Sequence, residues 1–171
     1  IVSGATEALF AAVHCCVSPG DEVIMFDPSY DAYDPIVRLA GGVPIHIPLK
    51  ASSNFSIDWP SVAAKITPRT RAIMVNSPHN PTGAVWSMAD LDAFAEIVKG
   101  TNILIISDEV YEHIVFDGAQ HASVLLHPEL RKRSFVCGSF GKTYHITGWK
   151  IGSCIAPAYL TAEFRKLHQW V

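Results

Sequence analysis

Short apolar segments alternate with amphipathic segments along nearly the whole chain of 171 residues. The apolar segments are rich in Ile and Val and carry few charges, which is typical of strands buried on both faces of a sheet. Residues 1–10 indicate a strand that runs directly into a helix. Six further strands are predicted at residues 22–28, 42–49, 71–78, 102–110, 134–140 and 151–157.

The amphipathic segments between these strands have helical periodicity. Helices are predicted within residues 6–17, 30–42, 58–66 and 87–100. The apolar face of the first helix consists of Ala8, Leu9, Ala12, Val13 and Cys16.

Polar residues mark the start of two of these helices. Asp58 is placed to cap the helix in residues 58–66. Ser87 and Asp90 have the spacing of a capping box, with Asp in the acidic position. Because strand and helix alternate, the sequence predicts an α/β protein, a three-layer α/β/α arrangement around a mostly parallel mixed sheet.

Composition and charge narrow the function classes. The net charge is −3, and the only basic cluster is Arg131, Lys132 and Arg133, so nucleic-acid binding has little support. No run of about 18 apolar residues is present to span a membrane. Charged residues make up 17% of the chain, below the roughly 25% of an average domain. We therefore expect the chain to bury surface against a part of the protein outside this sequence.

The two ends of the chain agree with this expectation. The first residue is Ile1, and the helical pattern of residues 161–171 has no Gly or Pro to close it. The sequence therefore predicts the central part of a longer protein, whose natural termini and targeting signals lie outside it.

Several site classes lack their motifs. Cys15, Cys16, Cys137 and Cys154 form no CxxC pair, and we expect them to be buried free thiols of a cytosolic protein. The eight histidines show no metal-ligand spacing. No nucleotide-binding glycine motif is present. The segment "CGSFG" fails as a nucleophile elbow, because Gly and Ser are directly adjacent.

Polar segments follow the ends of the predicted strands, where ligands bind in parallel α/β sheets. A buried carboxylate at Asp108 is costly unless it meets a positive partner, although Asp108 could equally cap the following turn. Asn80 precedes a proline and has restricted geometry, which suits either a plain tight loop or an amide held over a site. The segments are "DPSYDAY", "NSPHNPTG", "SDEVYE" and "GSFGK".

Lys142 stands out in the stretch "SFGKTYHITGWK". Most lysines are solvated charges, but this one follows a buried-type strand among Gly, Ser and aromatic residues. A lysine in such a setting can have a lowered pKa and form a Schiff base with a carbonyl. The small-residue turn "SGATEA" at residues 3–8 enters a helix, and its free backbone N–H groups would suit a phosphate.

Taken together, these segments resemble the class I and II aminotransferases of fold type I, which use pyridoxal 5′-phosphate (PLP). The matching pieces occur in the family's order and cover nearly the whole chain; they are "SGATEA", "DPSYDAY", "NSPHNPTG", "SDEVYE" and "SFGKTYHITGWKIG". Within the family, the last two resemble methionine aminotransferases and kynurenine–oxoglutarate transaminases. The resemblance implies that residues 1–171 are the central part of the large PLP-binding domain, without the N-terminal arm and the C-terminal small domain.

The resemblance also implies roles for catalytic residues. Lys142 would form the Schiff base with PLP and then move a proton from the substrate Cα as a base. Asp108 would pair with the pyridine nitrogen and keep it protonated. Tyr111 and Asn80 would hydrogen-bond the phenolic oxygen of the ring, and Tyr30 would stack on the ring face unless it is a core tyrosine.

A second group of residues would bind the phosphate. The resemblance assigns this role to Ser139, to Lys150 and to the backbone around Gly4, Ala5 and Thr6. Many relatives have Arg where this chain has Lys150, and Lys keeps the charge without the bidentate fork.

Three residues near the motifs have weaker assignments. His79 and His145 are each next to a functional residue in sequence, and we expect both to be packed or solvent-facing histidines. Trp149 is expected to pack and so position the turn before Lys150.

The resemblance implies a cytoplasmic homodimer that transfers an amino group from a hydrophobic, sulfur-containing or aromatic L-amino acid to a 2-oxo acid. The side-chain preference depends on parts outside the chain. Two alternatives stay open: a PLP-dependent β-lyase acting on cysteine conjugates, and a truncated core without turnover that binds PLP poorly or only packs as an oligomer.

Overall fold

Six strands form one sheet, and the computed structural model describes all residues from 1 to 171. They are β1 (Glu22–Asp27), β2 (Val43–Pro48), β3 (Thr70–Asn76), β4 (Leu104–Asp108), β5 (Ser134–Ser139) and β6 (Gly152–Ile155). The order across the sheet is β2-β1-β3-β4-β5-β6. All pairs are parallel except β5 with β6. The predicted mostly parallel mixed sheet is confirmed.

Seven helices accompany these strands, the first before β1 and the last after β6. They are α1 (Ala5–Cys16), α2 (Tyr33–Leu39), α3 (Trp59–Ala63), α4 (Met88–Val98), α5 (Pro128–Arg131), α6 (Phe140–Thr143) and α7 (Ala158–His168). Short 3₁₀ turns occur at Ala51–Ser53, Val124–Leu126 and Thr147–Trp149. Of the strand predicted before α1, the structure has a single bridge, in which Val2 pairs with Gly152. No helix is long and apolar enough to cross a bilayer.

The sheet lies between two layers of helices, as alternating side chains of its central strands show. Val23 and Met25 of β1 belong to a core with α1, α2 and α7. Ile24 and Phe26 of the same strand belong to a second core with α3, α4 and α5. The three-layer α/β/α arrangement is therefore confirmed. The five residues predicted as the apolar face of α1 are all buried.

The two edge strands differ from the prediction that all strands are buried on both faces. β2 is buried only at Pro44 and Ile47, and β6 is buried only at Gly152. Each edge strand has a strand neighbour on one side only, so its outer positions remain open. An Ile- and Val-rich run signals a strand, but it does not say whether that strand is central.

Two of the helix starts are capped as the sequence predicts. The Asp58 side chain accepts a hydrogen bond from the Ser61 N–H at the start of α3. Before α4, Ser87 accepts from the Asp90 N–H at 3.3 Å, and Asp90 accepts from the Ser87 N–H at 2.8 Å. The capping box is complete.

Removing this capping box should destabilise the fold modestly. Ser87→Ala removes the side-chain acceptor of the Asp90 N–H, which keeps only its bond to the Ser87 carbonyl, and we expect a loss of about 1 kcal/mol of unfolding free energy. Urea denaturation measures it. Ser56→Ala, in the irregular segment before α3 and in no helix cap, is the control and should change little. An unchanged midpoint for Ser87→Ala would mean that the cap contributes nothing measurable.

The four cysteines are free, as predicted. Cys16 and Cys137 are buried, whereas Cys15 and Cys154 are only half-buried. The Cys154 thiol, which faces Cys137 across the strand pair, raises the pKa of the Cys137 thiol, and burial raises it further. These thiols pack as small apolar side chains.

Candidate active site

One cavity of about 260 Å³ lies where the parallel strands end, close to the lower end of the range for small-molecule sites, about 300 Å³. The structure brings all ten predicted site residues into its lining. They are Gly4, Ala5, Thr6, Tyr30, Asn80, Asp108, Tyr111, Ser139, Lys142 and Lys150. The segments come from opposite ends of the chain, and the topology alone joins them. The individual roles assigned to these residues stay predictions.

Asp108 is the buried charge of this cavity. It ends the central strand β4 and is 4% exposed. Its carboxylate accepts hydrogen bonds from the Tyr33 hydroxyl at 2.6 Å and from the Val110 N–H at 3.2 Å. Burial raises the pKa of Asp108 to about 6, against the lowering effect of these two donors and of nearby Lys142. The carboxylate is thus costly to ionise without a further cation.

Lys142 is positioned by a short helix that begins directly after β5. Ser139 ends the strand, and its hydroxyl accepts a hydrogen bond from the Lys142 N–H at 3.3 Å, which caps α6. The Lys142 Nζ lies 5.6 Å from the centre of the Tyr111 ring. The strand end therefore fixes the backbone of Lys142, while its exposed side chain reaches over the cavity.

The opposite wall of the cavity combines a helix start with a cation. The Gly4 backbone before α1 has a φ of 86°, and no side chain caps the first turn of this helix. Lys150 lies beside it, since a Cβ added at Gly4 would sit 3.9 Å from the Lys150 carbonyl carbon. Free amides, the Ser139 hydroxyl and the Lys150 ammonium together make a set of donors suited to a phosphate.

Gly152 lies where the backbones of β6, β5 and the turn before α1 approach one another closely. A Cβ at this position would lie 2.7 Å from the Ala5 nitrogen, 2.7 Å from the Gly4 carbonyl carbon and 2.9 Å from the Gly138 oxygen. All three atoms belong to backbone, which cannot turn aside as a flexible side chain can. The close approach of β6 to the start of α1 therefore requires glycine here.

The remaining predicted residues complete the cavity between these walls. Asn80 is half-buried, and its N–H donates to the Asn76 side-chain oxygen at 2.7 Å. Tyr30 is also half-buried and packs edge-on against Tyr33, with ring centroids 5.6 Å apart. Tyr30 also packs against the core that α1, α2 and α7 share, as the alternative of a core tyrosine predicts.

Eight residues of the cavity lining were not predicted from the sequence, and two of them bond Asp108 through their side chains. Tyr33 donates to Asp108, and Asn76 donates from its side chain to the Asp108 carbonyl at 2.8 Å. Asn76 is paired in register with Asp108 across β3 and β4. Both stand in the quoted strand-end segments, so their position was visible in the sequence. Their orientation toward Asp108 depends on the register of β3 with β4 and on where α2 begins, and the sequence shows neither.

The two histidines are packed or solvent-facing, as predicted, whereas the prediction that Trp149 packs is wrong. His79 is buried outside the cavity and bonds Thr82 Oγ1 at 2.7 Å; burial lowers its pKa. His145 is exposed. Trp149 is 74% exposed and does not pack. The turn before Lys150 is instead held by its own backbone, where the Lys150 N–H donates to the Thr147 carbonyl at 3.2 Å.

The donors and charges of this cavity fit PLP. Asp108 is a buried carboxylate that lacks a full cationic partner, as a protonated ring nitrogen would supply. The uncapped amides at the start of α1, the Ser139 hydroxyl and the Lys150 ammonium line the same cavity, as a phosphate requires. No group of three or more His, Cys, Asp or Glu side chains is arranged to hold a metal ion.

The chain belongs to the class I and II aminotransferases, a family that it matches over residues 1–170. Members of this family are PLP-dependent transaminases that use amino acids and 2-oxo acids. The match covers every strand of the sheet and every wall of the cavity.

A methionine aminotransferase is similar to the chain in both sequence and structure. It is 52% identical over 171 residues to a methionine aminotransferase of Escherichia coli, covering all of this chain and 44% of that protein. A solved structure of a methionine aminotransferase from Escherichia coli superposes with a TM-score of 0.96 over 99% of this chain and 44% of that one.

Relatives of lower sequence identity include aminotransferases with other substrates in their names. A kynurenine–oxoglutarate transaminase of Homo sapiens is 37% identical over 179 residues, covering 99% of this chain and 42% of that protein. An N-succinyldiaminopimelate aminotransferase structure from Mycobacterium tuberculosis gives a TM-score of 0.95 at 44% identity, over 99% of this chain and 44% of that one. The chain thus spans less than half the length of the curated relatives that it matches.

Proposed function

We propose that this chain is the central part of the large domain of a PLP-dependent aminotransferase. One observation carries the proposal: a buried carboxylate, a lysine at a strand end and a phosphate-type donor set line the same cavity. Asp108 needs a cation, and the only formal positive charges in the cavity lining are Lys142 and Lys150. A cationic ring held between these groups by its phosphate fits the arrangement.

Each residue then has a defined task. When bound, PLP supplies an electron sink for the charge left when the substrate Cα loses its proton. Asp108 holds a proton on the ring nitrogen, and Lys142 binds the cofactor covalently and moves the Cα proton. Tyr111 and Asn80 contact the phenolic oxygen, and Tyr30 covers one ring face.

The phosphate end is bound by residues that touch no reacting atom. Ser139 and Lys150 donate to it, together with the first-turn amides around Gly4, Ala5 and Thr6. The ring is then fixed at both ends, by the phosphate and by Asp108. By holding the cofactor at both ends, these residues would keep Lys142 close to the substrate Cα, which favours proton transfer through orientation.

We further propose the substrates and assembly of the complete protein. Its amino donor is a hydrophobic, sulfur-containing or aromatic L-amino acid, and its acceptor is a 2-oxo acid, because the named relatives include a methionine aminotransferase and kynurenine transaminases. We propose a cytoplasmic homodimer, with a small domain and an N-terminal arm outside this chain that complete the pocket.

A binding and turnover assay on the complete protein tests this function. With PLP we expect visible absorbance, a borohydride-fixed mass increase on the peptide that contains Lys142, and amino transfer from methionine to a 2-oxo acid. Pyruvate release from a cysteine conjugate without amino transfer would instead support the β-lyase. Absence of the absorbance and of the mass increase would contradict the proposal.

A further inference from the structure

Tyr33 contacts two parts of the candidate site at once. Its hydroxyl donates to Asp108 Oδ2 at 2.6 Å, although the two residues are 75 positions apart in the chain. Its ring packs edge-on against Tyr30, and its N–H donates to the Tyr30 carbonyl at 3.1 Å. One side chain therefore touches both the group expected at the ring nitrogen and the group expected on the ring face.

Tyr33 is itself held firmly. It is the first residue of α2, is 3% exposed and belongs to the core that this helix shares with α1 and α7. Burial and the neighbouring Asp108 charge raise the pKa of the Tyr33 phenol well above its ordinary value. The hydroxyl thus keeps its proton and serves as a permanent donor to Asp108.

The hydrogen bonds of Asp108 leave acceptor positions on its carboxylate for a ring nitrogen. Tyr33 occupies one position on Oδ2, and the Val110 N–H occupies one position on Oδ1. An ionised carboxylate has about four acceptor positions. These two donors fix its plane, and the remaining positions are free for a ring N–H.

We infer that Tyr33 is a positioning residue of the cofactor site. Its hydroxyl orients the Asp108 carboxylate toward a pyridine nitrogen and stabilises the charged form of that carboxylate, and its ring supports the Tyr30 ring. The inference rests on the proposed function. It assigns Tyr33 no contact with a reacting atom; its effect passes through Asp108.

Deleting this hydroxyl tests the inference. Tyr33→Phe keeps the ring and its packing, and the probes are pyridoxamine 5′-phosphate, which needs no covalent link to Lys142, and its analogue with carbon in place of the ring nitrogen. By calorimetry on the complete protein at pH 6.5, we expect the natural ligand to bind about tenfold more weakly, the size of one hydrogen bond to a charged group. The carbon analogue should bind within about twofold of the wild-type protein.

The pH dependence gives a second readout. Affinity for the natural ligand should fall as pH drops through the range in which Asp108 takes up its proton, and in Tyr33→Phe this fall should begin about one pH unit higher. Both ligands carry the same phosphate, so its titration cancels between them. The other titratable or charged groups that face Asp108 are Glu109, Tyr111, Cys137 and Lys142, and all are unchanged in the variant.

Matched variants separate positioning from general damage. Tyr159→Phe removes a hydroxyl bonded to the Lys132 carbonyl, far from the cavity, and should leave both affinities unchanged. In an Asp108→Asn background, Tyr33→Phe should lose its selective effect, because the charge that it supports is gone. Should Tyr33→Phe fold poorly, Tyr33→Met takes its place; it also lacks a donor, its flexible side chain fills the core position, and it should weaken only the natural ligand.

The outcomes are distinct. If wild-type protein binds the natural ligand and Tyr33→Phe, or Tyr33→Met in its place, binds both ligands in the wild-type ratio at every pH, the inference is overturned and the proposed function stands. Equal weakening of both ligands by Tyr33→Phe also overturns it, since that is the result of a purely structural role. If wild-type protein binds neither ligand, the proposed function fails, and the inference fails with it.

Discussion

Lys142→Ala should abolish covalent capture of PLP and reduce amino transfer by about 10⁴-fold, the upper end of what a positioned acid–base group contributes. The physical reason is that this side chain has two tasks, as the covalent anchor and as the carrier of the Cα proton. No other lysine lines the cavity except Lys150, which lies on the phosphate side. Borohydride reduction followed by peptide mass analysis measures capture, and a transamination assay measures rate.

Two variants show whether charge or nucleophilicity is lost. Lys142→Arg keeps the positive charge near Asp108 but cannot form the covalent link, so it should behave like the alanine variant in both assays. Lys99→Ala removes an exposed lysine paired only with Glu96 and should have no effect. Retained capture in Lys142→Ala would contradict the assignment and direct attention to Lys150.

Asp108→Asn should produce opposite changes in rate and in stability. The amide keeps the shape of the side chain but cannot hold a proton on the ring nitrogen, so the transfer rate should fall roughly 10²- to 10³-fold, as for loss of one preorganised electrostatic group. The ligand-free protein should become more stable near pH 7, because a buried charge has been removed.

The pH range of this gain follows from the pKa of Asp108. Burial raises it from 3.8 to about 6, so the folded state binds a proton more tightly than the unfolded state. The associated stability is present below about pH 4 and is lost as pH rises through about 6, a loss of roughly 1–3 kcal/mol. Asp108→Asn avoids this loss, so urea denaturation of apoprotein at pH 4 and pH 7 should show the gain only at pH 7.

A surface control completes this experiment. Asp117→Asn changes an exposed carboxylate that has no ion-pair partner and should alter neither rate nor the pH dependence of stability. Equal stability of wild type and Asp108→Asn at both pH values would mean that Asp108 ionises without cost in the folded protein.

The strands and the site were visible in the sequence because both depend on local patterns. Runs such as "NILIISDEV" have to be buried, and polar residues such as Asp108 at their ends have to meet at one edge of a parallel sheet. The resemblance to the aminotransferases then predicted Lys142 as the Schiff-base lysine and Ser139 as a phosphate ligand. Each of these features depends on residues within a dozen positions of one another.

What could not be predicted depends on long-range packing. The exposure of β2 follows from its place at the edge, which is set by strand order rather than by its Ile and Val content. The bond from Tyr33 to Asp108 requires α2 to begin beside β4, and no local pattern records that neighbour. Trp149 was expected to pack because it is large and apolar, yet a 3₁₀ turn on the surface points it outward.

The crowding at Gly152 has a consequence for how this site can change over time. Because the backbones of residues 4–5, 138 and 152 touch there, three stretches of chain share one junction with no slack. A side chain at that point would displace the anion-binding turn and the strand before the lysine together. A change at Gly152 is therefore expected to be tolerated only together with compensating shifts in the other two stretches.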